Sequence, residues 1–333
     1  MSHTTTDAQG RGRVLLTGAT GFVGSSLHPA LVAAGWDVRC ASRNADSAEA
    51  RWPDRSWVQT DVADGDSVAR ALEGCDAAFY LVHGMAGAGE DFRRAEISQA
   101  ETFLRAAESA GTQRIVYLGG VTAEKDPSVH LKSRAEVGET LRSGRVSAIE
   151  LRASMIIGYG SLSWLIVRDL AARLPVMVLP RWLRSRTEPV GIDDMVIALV
   201  RSIDLDVDGS AAFDTPGPEI LSGREILERT ARDLGLREPI MIEVPFLSPR
   251  LSSHWVRFVT RAEWSVAREV VVGLREDLLA ADAGFWTRIG HTDLLPFDES
   301  ARRALEAEAA EGPETGAWGA LERGVALLRK RRA

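Results

Sequence analysis

The stretch "VLLTGATGFVG" at residues 14–24 joins an apolar run to three glycines with the spacing G-x-x-G-x-x-G. The apolar run predicts a buried strand, and the residues after the glycines predict a helix. In such a unit Gly18 permits the tight turn, Gly21 lets the backbone approach a pyrophosphate, and Gly24 lets the helix pack against the strand. The sequence therefore predicts a dinucleotide site at the helix N-terminus, and a glycine turn without a ligand is the alternative.

Strand-like and helix-like segments alternate through the first half of the chain. Apolar segments predict six strands, at residues 13–17, 36–42, 56–62, 76–83, 114–120 and 146–154. Strands that alternate with long helices are typical of a parallel sheet covered on both faces. We therefore predict an α/β fold of the doubly wound, parallel-sheet Rossmann type, with a smaller, irregular and helical C-terminal substrate region.

The predicted organisation has three parts. Residues 1–12 form a flexible tail, residues 13–155 form the NAD(P)-binding domain, and residues 156–330 form a substrate-binding region that partly completes the sheet. The last part includes a turn rich in Pro and Gly, and its outline is the least regular. Ligands should bind at the carboxyl ends of the strands.

Composition limits the classes of function. A net charge of -7 argues against a nucleic-acid partner, since phosphate binding needs a clustered positive field. Cys40 and Cys75 form no disulfide framework, and the six histidines show no metal-binding spacing, so we predict a cytoplasmic protein without a metal site. The sequence contains no apolar run of about 18 residues, so we predict no integral membrane segment. The expected partner is a small-molecule substrate, and the sequence leaves open whether the protein forms a homodimer.

The end of the second predicted strand bears on the choice of nicotinamide cofactor. NAD-binding proteins usually place a carboxylate there to hold the ribose 2′-hydroxyl, whereas this sequence has Ser42 and Arg43. A guanidinium can pair with a 2′-phosphate, so we favour NADPH over NADH, and a solvated surface arginine is the alternative. Asp61 is a candidate for the adenine contact, or else a helix cap beside Asp64 and Asp66.

Several further stretches resemble one family. "TGATGFVG" (17–24), "TDV" (60–62), "YLVHGM" (80–85), "RIVYLGG" (114–120) and "ELRASMIIGYGS" (150–161) together resemble the atypical short-chain dehydrogenase/reductases, in particular the NmrA-like, NAD(P)H-binding branch. The likeness continues through "LPRWLRSRTEPVGIDDM" (179–195) and "PFLSPRLSSHWVRFVT" (245–260), and so covers most of the chain. Longer members of the branch carry a further domain of unknown function (DUF2867), so the resemblance implies a short form.

The resemblance also implies a set of cofactor-binding residues. The phosphate loop comprises Gly18, Thr20, Gly21, Phe22 and Val23, and Arg43 matches the 2′-phosphate position. Asp61 and Val62 match the adenine contact. The backbone beside the adenosine ribose and nicotinamide is matched by Leu81, Val82 and His83.

The catalytic motif of the family is altered. Most short-chain reductases use Tyr-x-x-x-Lys together with a serine at the end of the fifth strand, where this chain has Gly119 and Gly120. Our placement sets His130 at the tyrosine and Arg134 at the lysine, and their i, i+4 spacing keeps both on one helix face. In the functional interpretation His130 is a general acid and Arg134 binds ribose or substrate. In the alternative the active site has decayed, and both residues only cap or solvate the helix.

Two tyrosines complete the candidates. Tyr159 is expected near the substrate cleft, as a proton donor or as an aromatic residue that packs in a loop, and Tyr117 is expected in the core. We predict an NADPH-dependent oxidoreductase that reduces a small, fairly apolar carbonyl, enone or quinone-like substrate. A non-catalytic NAD(P)-binding redox sensor or assembly factor, and a cofactor-assisted isomerase or cyclase, are the alternatives.

Overall fold

A computed structural model describes residues 10–82, 90–121, 129–180, 184–244, 260–261, 276–312 and 316–329. The strands are β1 (Arg13–Leu16), β2 (Asp37–Ser42), β3 (Ser56–Gln59), β4 (Ala77–Tyr80), β5 (Arg114–Gly120), β6 (Ser147–Ala153), β7 (Ile156–Ile157), β8 (Val176–Pro180), β9 (Arg186–Thr187), β10 (Val190–Gly191), β11 (Ala211–Asp214), β12 (Leu221–Ser222) and β13 (Ile240–Val244).

The helices pack mainly around this set of strands. They are α1 (Phe22–Ala33), α2 (Ala45–Arg51), α3 (Gly65–Leu72), α4 (Glu90–Ala110), α5 (Val129–Arg142), α6 (Leu162–Arg173), α7 (Ile192–Ser202), α8 (Gly223–Asp233), α9 (Gly284–Arg288), α10 (Phe297–Ala310) and α11 (Gly316–Arg329).

In the described residues, seven parallel strands form the central sheet in the order β11-β6-β5-β4-β1-β2-β3. The order reverses at β1, which lies between β4 and β2. In open α/β sheets, ligands bind in the crevice outside the carboxyl ends of the strands at this kind of switch point. The predicted Rossmann fold class is confirmed, and the glycine loop follows the strand at which the order changes.

Both faces of the sheet are buried, because alternate strand residues point to opposite sides. Val14 and Leu16 pack in a cluster with Leu27 of α1 and Met195 of α7. Leu15 belongs to the second cluster, with residues of α3, α4 and α5. Burial on both faces explains why the first strand reads as a continuous apolar run rather than as an alternating pattern.

The second half of the chain extends the sheet and then leaves it. β11 pairs with β6 in parallel, with Phe213 opposite Leu151. Within the described ranges this half also contains three short two-stranded sheets, β7 with β10, β9 with β12, and β8 with β13. α6, α8, α10 and α11 pack beside them. The division of the chain into domains stays a prediction.

Two absences hold for the part of the chain that the structure describes. None of its helices combines the length and the hydropathy that crossing a membrane requires. Across the same ranges, no group of three or more His, Cys, Asp or Glu side chains is placed to hold a metal ion. Cys40 and Cys75 are free and buried. Burial raises the pKa of Cys40 to about 12, so this group remains a neutral thiol.

Candidate active site

The phosphate loop needs glycine at two positions for steric reasons. Gly18 has a φ of +67°, and a Cβ placed there would lie 2.5 Å from the carbonyl oxygen of Leu81. Gly24, in the first turn of α1, faces the Gly18 carbonyl group so closely that no side chain fits between them. The loop and the helix therefore approach each other as backbone against backbone, which leaves the crevice above β1 free for a ligand.

The N-terminus of α1 presents unpaired backbone donors. Gly21 occupies the cap position without a side chain that could accept from the helix, and the first turn contains no acidic residue. The Gly21 N–H donates to the Gly18 carbonyl oxygen at 2.9 Å, which closes the turn. The N–H groups of Phe22 and Val23 belong to the first turn, which has no partners within the helix, and the helix dipole favours negative charge there, so their predicted role in phosphate binding stays a prediction. Thr20 is exposed at the turn.

Thr17 fixes the two strands that flank the crevice, and sequence reasoning did not single it out. Its hydroxyl donates to the Phe79 carbonyl oxygen at 2.7 Å and accepts from the Leu81 N–H at 3.0 Å. A polar residue that ends a buried strand just before a glycine loop is the signal that points to this role. Leu81 and Val82 are half-buried after β4, and the predicted residue His83 lies outside the described residues.

The ends of β2 and β3 bring the predicted 2′-phosphate and adenine residues to one edge. The Thr60 N–H donates to the Ser42 carbonyl oxygen at 2.9 Å, which holds the two strand ends together. The Ser42 hydroxyl donates to the Asn44 carbonyl oxygen at 3.1 Å. Arg43 is exposed, and no ion pair within the described residues restrains it. Its guanidinium is therefore available to a phosphate group.

The Asp61 side chain forms its hydrogen bond within its own loop and does not cap the next helix. Its carboxylate accepts from the Ala63 N–H at 3.0 Å. Asp64 caps α3 by accepting from the Asp66 N–H at 3.0 Å, so the alternative that Asp61 is this cap is wrong. Asp61 is exposed and keeps a second carboxylate oxygen for a donor such as the adenine amino group, while Val62 is buried in the core beneath it.

α5 carries both predicted catalytic residues at the carboxyl edge of the sheet. His130 lies in the first turn, and its ring stacks on Phe92 of α4 with ring centroids 6.2 Å apart and an interplanar angle of 13°. Arg134 lies one turn later and donates to the Leu118 carbonyl oxygen at 2.8 Å. The Nε of Arg134 is buried and has no hydrogen-bond partner among the described residues. A buried unpaired donor is costly, so this N–H suits a ligand oxygen.

Buried charge explains the missing serine. A Cβ at Gly119 would lie 2.7 Å from Oε1 of Glu150, and a Cβ at Gly120 would lie 3.3 Å from the Nε of Arg134. Glu150 is paired with Arg142 at 2.9 Å, and burial raises the pKa of the Glu150 carboxyl group. The glycines therefore make room for Glu150 and Arg134, and a serine side chain at position 119 would collide with the carboxylate.

The two tyrosines differ in exposure. Tyr117 is buried, its hydroxyl donates to the Arg134 carbonyl oxygen at 3.1 Å, and burial raises its pKa. Tyr159 is 45% exposed. It lines a cleft of about 350 Å³ whose walls include Phe22 of the phosphate loop and Arg303 of α10. Among the described residues, neither His130 nor Arg134 lines this cleft, so the structure does not bring Tyr159 together with the α5 pair.

Comparison with known proteins agrees with this geometry. Residues 18–171 match the family described as NAD(P)H-binding. The ceramide reductase of Caulobacter vibrioides is 30% identical over 72% of this chain and 75% of its own length. A 4-hydroxy-2-methyl-3-oxo-4-farnesyl-3,4-dihydroquinoline-1-oxide ketoreductase of Stigmatella aurantiaca is 23% identical over 84% of this chain and 93% of its own.

Solved structures show the same fold. The Citrobacter sp. triphenylmethane reductase complexed with NADP(H) superposes with a TM-score of 0.67 at 16% identity, covering 88% of this chain and 99% of that one. The structure of gox2253 gives a TM-score of 0.69 at 19% identity, covering 91% and 99%. That the chain is a short form of a branch with a further domain stays a prediction. The chain belongs to the atypical, NmrA-like short-chain dehydrogenase/reductases, and its glycine loop is part of an NAD(P)H-binding oxidoreductase domain.

Proposed function

We propose that the protein is an NADPH-dependent reductase of an apolar carbonyl, enone or quinone-like substrate. The observation that carries the proposal is the α5 pair. An imidazole and a buried, unpaired guanidinium N–H lie one helical turn apart, at the same sheet edge as the glycine loop. This is the arrangement that a reductase needs if His130 and Arg134 replace the tyrosine and lysine of the family motif.

Each residue of the pair has a separate task in this proposal. The bound reduced nicotinamide supplies the hydride. Arg134 is held against β5 by its bond to the Leu118 carbonyl oxygen, and its Nε–H positions a ribose hydroxyl or the substrate oxygen. His130 donates the proton that the substrate oxygen takes up, and its stacking on Phe92 restricts the orientation of the ring. An arginine cannot supply that proton, because its guanidinium stays charged.

The apolar substrate class rests on the relatives rather than on the cleft beside the phosphate loop. That cleft mixes Phe22 and Ile157 with Asp193 and Arg303, and the α5 pair is not among its lining residues. The relatives named ceramide reductase and farnesyl-dihydroquinoline ketoreductase are, by their names, reductases of largely apolar molecules.

The test is turnover with a broad panel of quinones, enones and ketones. We expect an acceptor-dependent loss of NADPH absorbance, and about a hundred-fold lower kcat in His130→Gln. Lys132→Gln is the matched control, since Lys132 is an exposed residue of the same helix, and its kcat should stay within about twofold. Tight NADPH binding without turnover on any acceptor would replace this proposal with the redox-sensor alternative.

Cofactor preference gives a second expected outcome. Arg43→Ala should weaken NADPH binding by about ten- to a hundred-fold, because a charge-assisted hydrogen bond contributes about 1.5–3 kcal/mol. NADH affinity should stay within about twofold, since that cofactor lacks the 2′-phosphate. The measurement is calorimetric titration of both nucleotides, with Arg51→Ala as the control from the far end of α2. Equal losses for the two nucleotides would remove Arg43 from the 2′-phosphate site.

A further inference from the structure

The cleft of about 350 Å³ that Tyr159 lines opens where the starts of α1 and α7 meet α10. Its volume falls in the range of about 300–1,000 Å³ that is usual for small-molecule sites. α1 and α7 pack on one face of the central sheet, whereas α5 packs on the other. Among the described lining residues, neither His130 nor Arg134 occurs. The cleft is therefore a different part of the molecule from the α5 pair.

One face of α10 forms a wall of the cleft. The lining residues from this helix have the spacing i, i+3, i+4, i+7, so they share a helix face: Ser300, Arg303, Ala304 and Ala307. Three of these four side chains are small, which leaves space between the helices. Phe22 and Ile157 add apolar surface to the lining. The cleft therefore has room for a ring, and apolar surface on which the ring can pack.

The Ser300 hydroxyl is a buried polar group that the protein leaves unsatisfied. Ser300 is 4% exposed, and its Oγ has no hydrogen-bond partner among the described residues. The hydroxyl lies beside the start of α7, since a Cβ placed at Gly191 would be 2.6 Å from it. Buried polar groups in folded proteins nearly always have a partner, and leaving one without a partner is costly. A ligand oxygen in the cleft would supply the partner that Ser300 lacks.

The start of α7 adds backbone donors beside this hydroxyl. Gly191 occupies the cap position, and within the described part of the chain no side chain caps the helix from there. The first N–H groups of a helix have no partner inside it. Gly191 and Ile192 both line the cleft, as does Ser300. A ligand that presents a hydroxyl or carbonyl oxygen at this point meets both kinds of group.

The charged side chains of the cleft neutralise each other. Arg303 donates to the Asp193 carboxylate at 2.7 Å, and both residues line the cleft. Arg303 also donates to Glu299 of its own helix at 2.8 Å. An anion would compete with these carboxylates for the guanidinium, and a cation would compete with Arg303 for Asp193. The lining therefore favours an uncharged ligand.

We propose that this cleft binds an uncharged small molecule that combines a ring with a hydroxyl or carbonyl oxygen. The ring packs on Phe22 and Ile157, and the oxygen bonds to the Ser300 hydroxyl and the N–H groups at the start of α7. Water is the competing occupant, since ordered water can satisfy a buried hydroxyl. Water leaves the apolar wall hydrated, whereas a ring removes that surface from water. The proposal does not depend on the reductase activity, because it uses neither the α5 pair nor hydride transfer.

The experiment is a ligand-detected NMR titration of the full chain, saturated with NADPH, with four probes of similar size. Benzyl alcohol is the principal probe, because a reduced nicotinamide cannot reduce an alcohol and no turnover interferes. We expect it to bind with a dissociation constant of about 1–10 mM, as suits a ligand this small. Toluene, which lacks the oxygen, should bind about three- to tenfold more weakly. Benzoate and benzylammonium should bind at least about tenfold more weakly, because each carries a charge that the cleft does not match.

Two substitutions on α10 place the binding in this cleft. Ala307→Trp puts an indole into the cleft and should abolish binding of benzyl alcohol. Ala309→Trp is the matched control, because Ala309 is an exposed residue of the same helix that is not among the lining residues. Ser300→Ala should weaken binding by about three- to tenfold. Without the probe, its melting temperature should stay the same or rise, because the variant removes an unpaired buried hydroxyl.

Three results would overturn the proposal. The first is no saturable binding of benzyl alcohol up to about 50 mM, which would leave water as the occupant. The second is equal binding of benzyl alcohol by Ala307→Trp and the unaltered protein, which would place the probe elsewhere. The third is benzoate or benzylammonium binding as tightly as benzyl alcohol, which would contradict the charge argument. NADPH affinity and acceptor turnover, measured on the same samples, keep each result separate from the reductase proposal.

Discussion

Replacing Gly18 with alanine is expected to raise the dissociation constant for NADPH by about a thousand-fold. The added Cβ would lie 2.5 Å from the Leu81 carbonyl oxygen, and the Leu81 N–H is held by Thr17, so the β4 backbone resists moving. The turn must shift instead, and it takes the N–H groups of Phe22 and Val23 away from the pyrophosphate. Two charge-assisted hydrogen bonds of about 1.5–3 kcal/mol each account for the loss. Calorimetric titration of purified protein measures it.

Gly74→Ala is the matched control for this substitution. Gly74 has a φ of +69°, close to that of Gly18, but nothing lies within 4 Å of a Cβ placed there. The control therefore carries the conformational cost of about 1–2 kcal/mol without the collision, and its NADPH affinity should stay within about twofold. Similar losses of affinity in both variants would show that general destabilisation, rather than the approach to Leu81, governs binding.

The regular part of the fold could be predicted because its signals are local. The strand predicted at residues 114–120 is β5, and the glycine loop follows β1 as its pattern indicates. α2 was not predicted, because its only buried residue is Ala48 and a single apolar position gives no periodicity. Its start is set instead by Asn44, whose side chain accepts from the Ser47 N–H.

The candidate site depended more on contacts between distant parts of the chain. That His130 and Arg134 share one helix face follows from their i, i+4 spacing, but the stacking of His130 on Phe92 joins two helices. The glycines at the end of β5 indicate a missing serine, whereas the reason for its absence is Glu150, which lies on the next strand. Sequence patterns indicate which residues share a face of a helix or strand. They do not indicate which side chain from another element fills the space opposite.

A buried ionic cluster that sequence reasoning missed joins α6 to the C-terminal helices. Asp169 has no solvent exposure and accepts from Arg173 at 2.9 Å and from the Arg261 side chain and N–H at 2.9 and 2.8 Å. Arg168 bonds to Glu308 of α10 at 2.9 Å. Three arginines face three carboxylates once Glu322 of α11 is included, so the charges within the cluster balance.

Asp169→Asn is therefore expected to lower the free energy of unfolding by about 3–5 kcal/mol, because three arginines would then face only two carboxylates in a buried cluster. The measurement is equilibrium urea unfolding followed by tryptophan fluorescence. Trp318 reports on the cluster directly, since its ring lies 4.3 Å from the guanidinium carbon of Arg173. Asp91→Asn is the control. The Asp91 side chain is 95% exposed, so its ion pair with Arg94 should contribute less than about 1 kcal/mol. If both variants unfolded at the same urea concentration as the unaltered protein, the cluster would not be what holds α10 and α11 against α6.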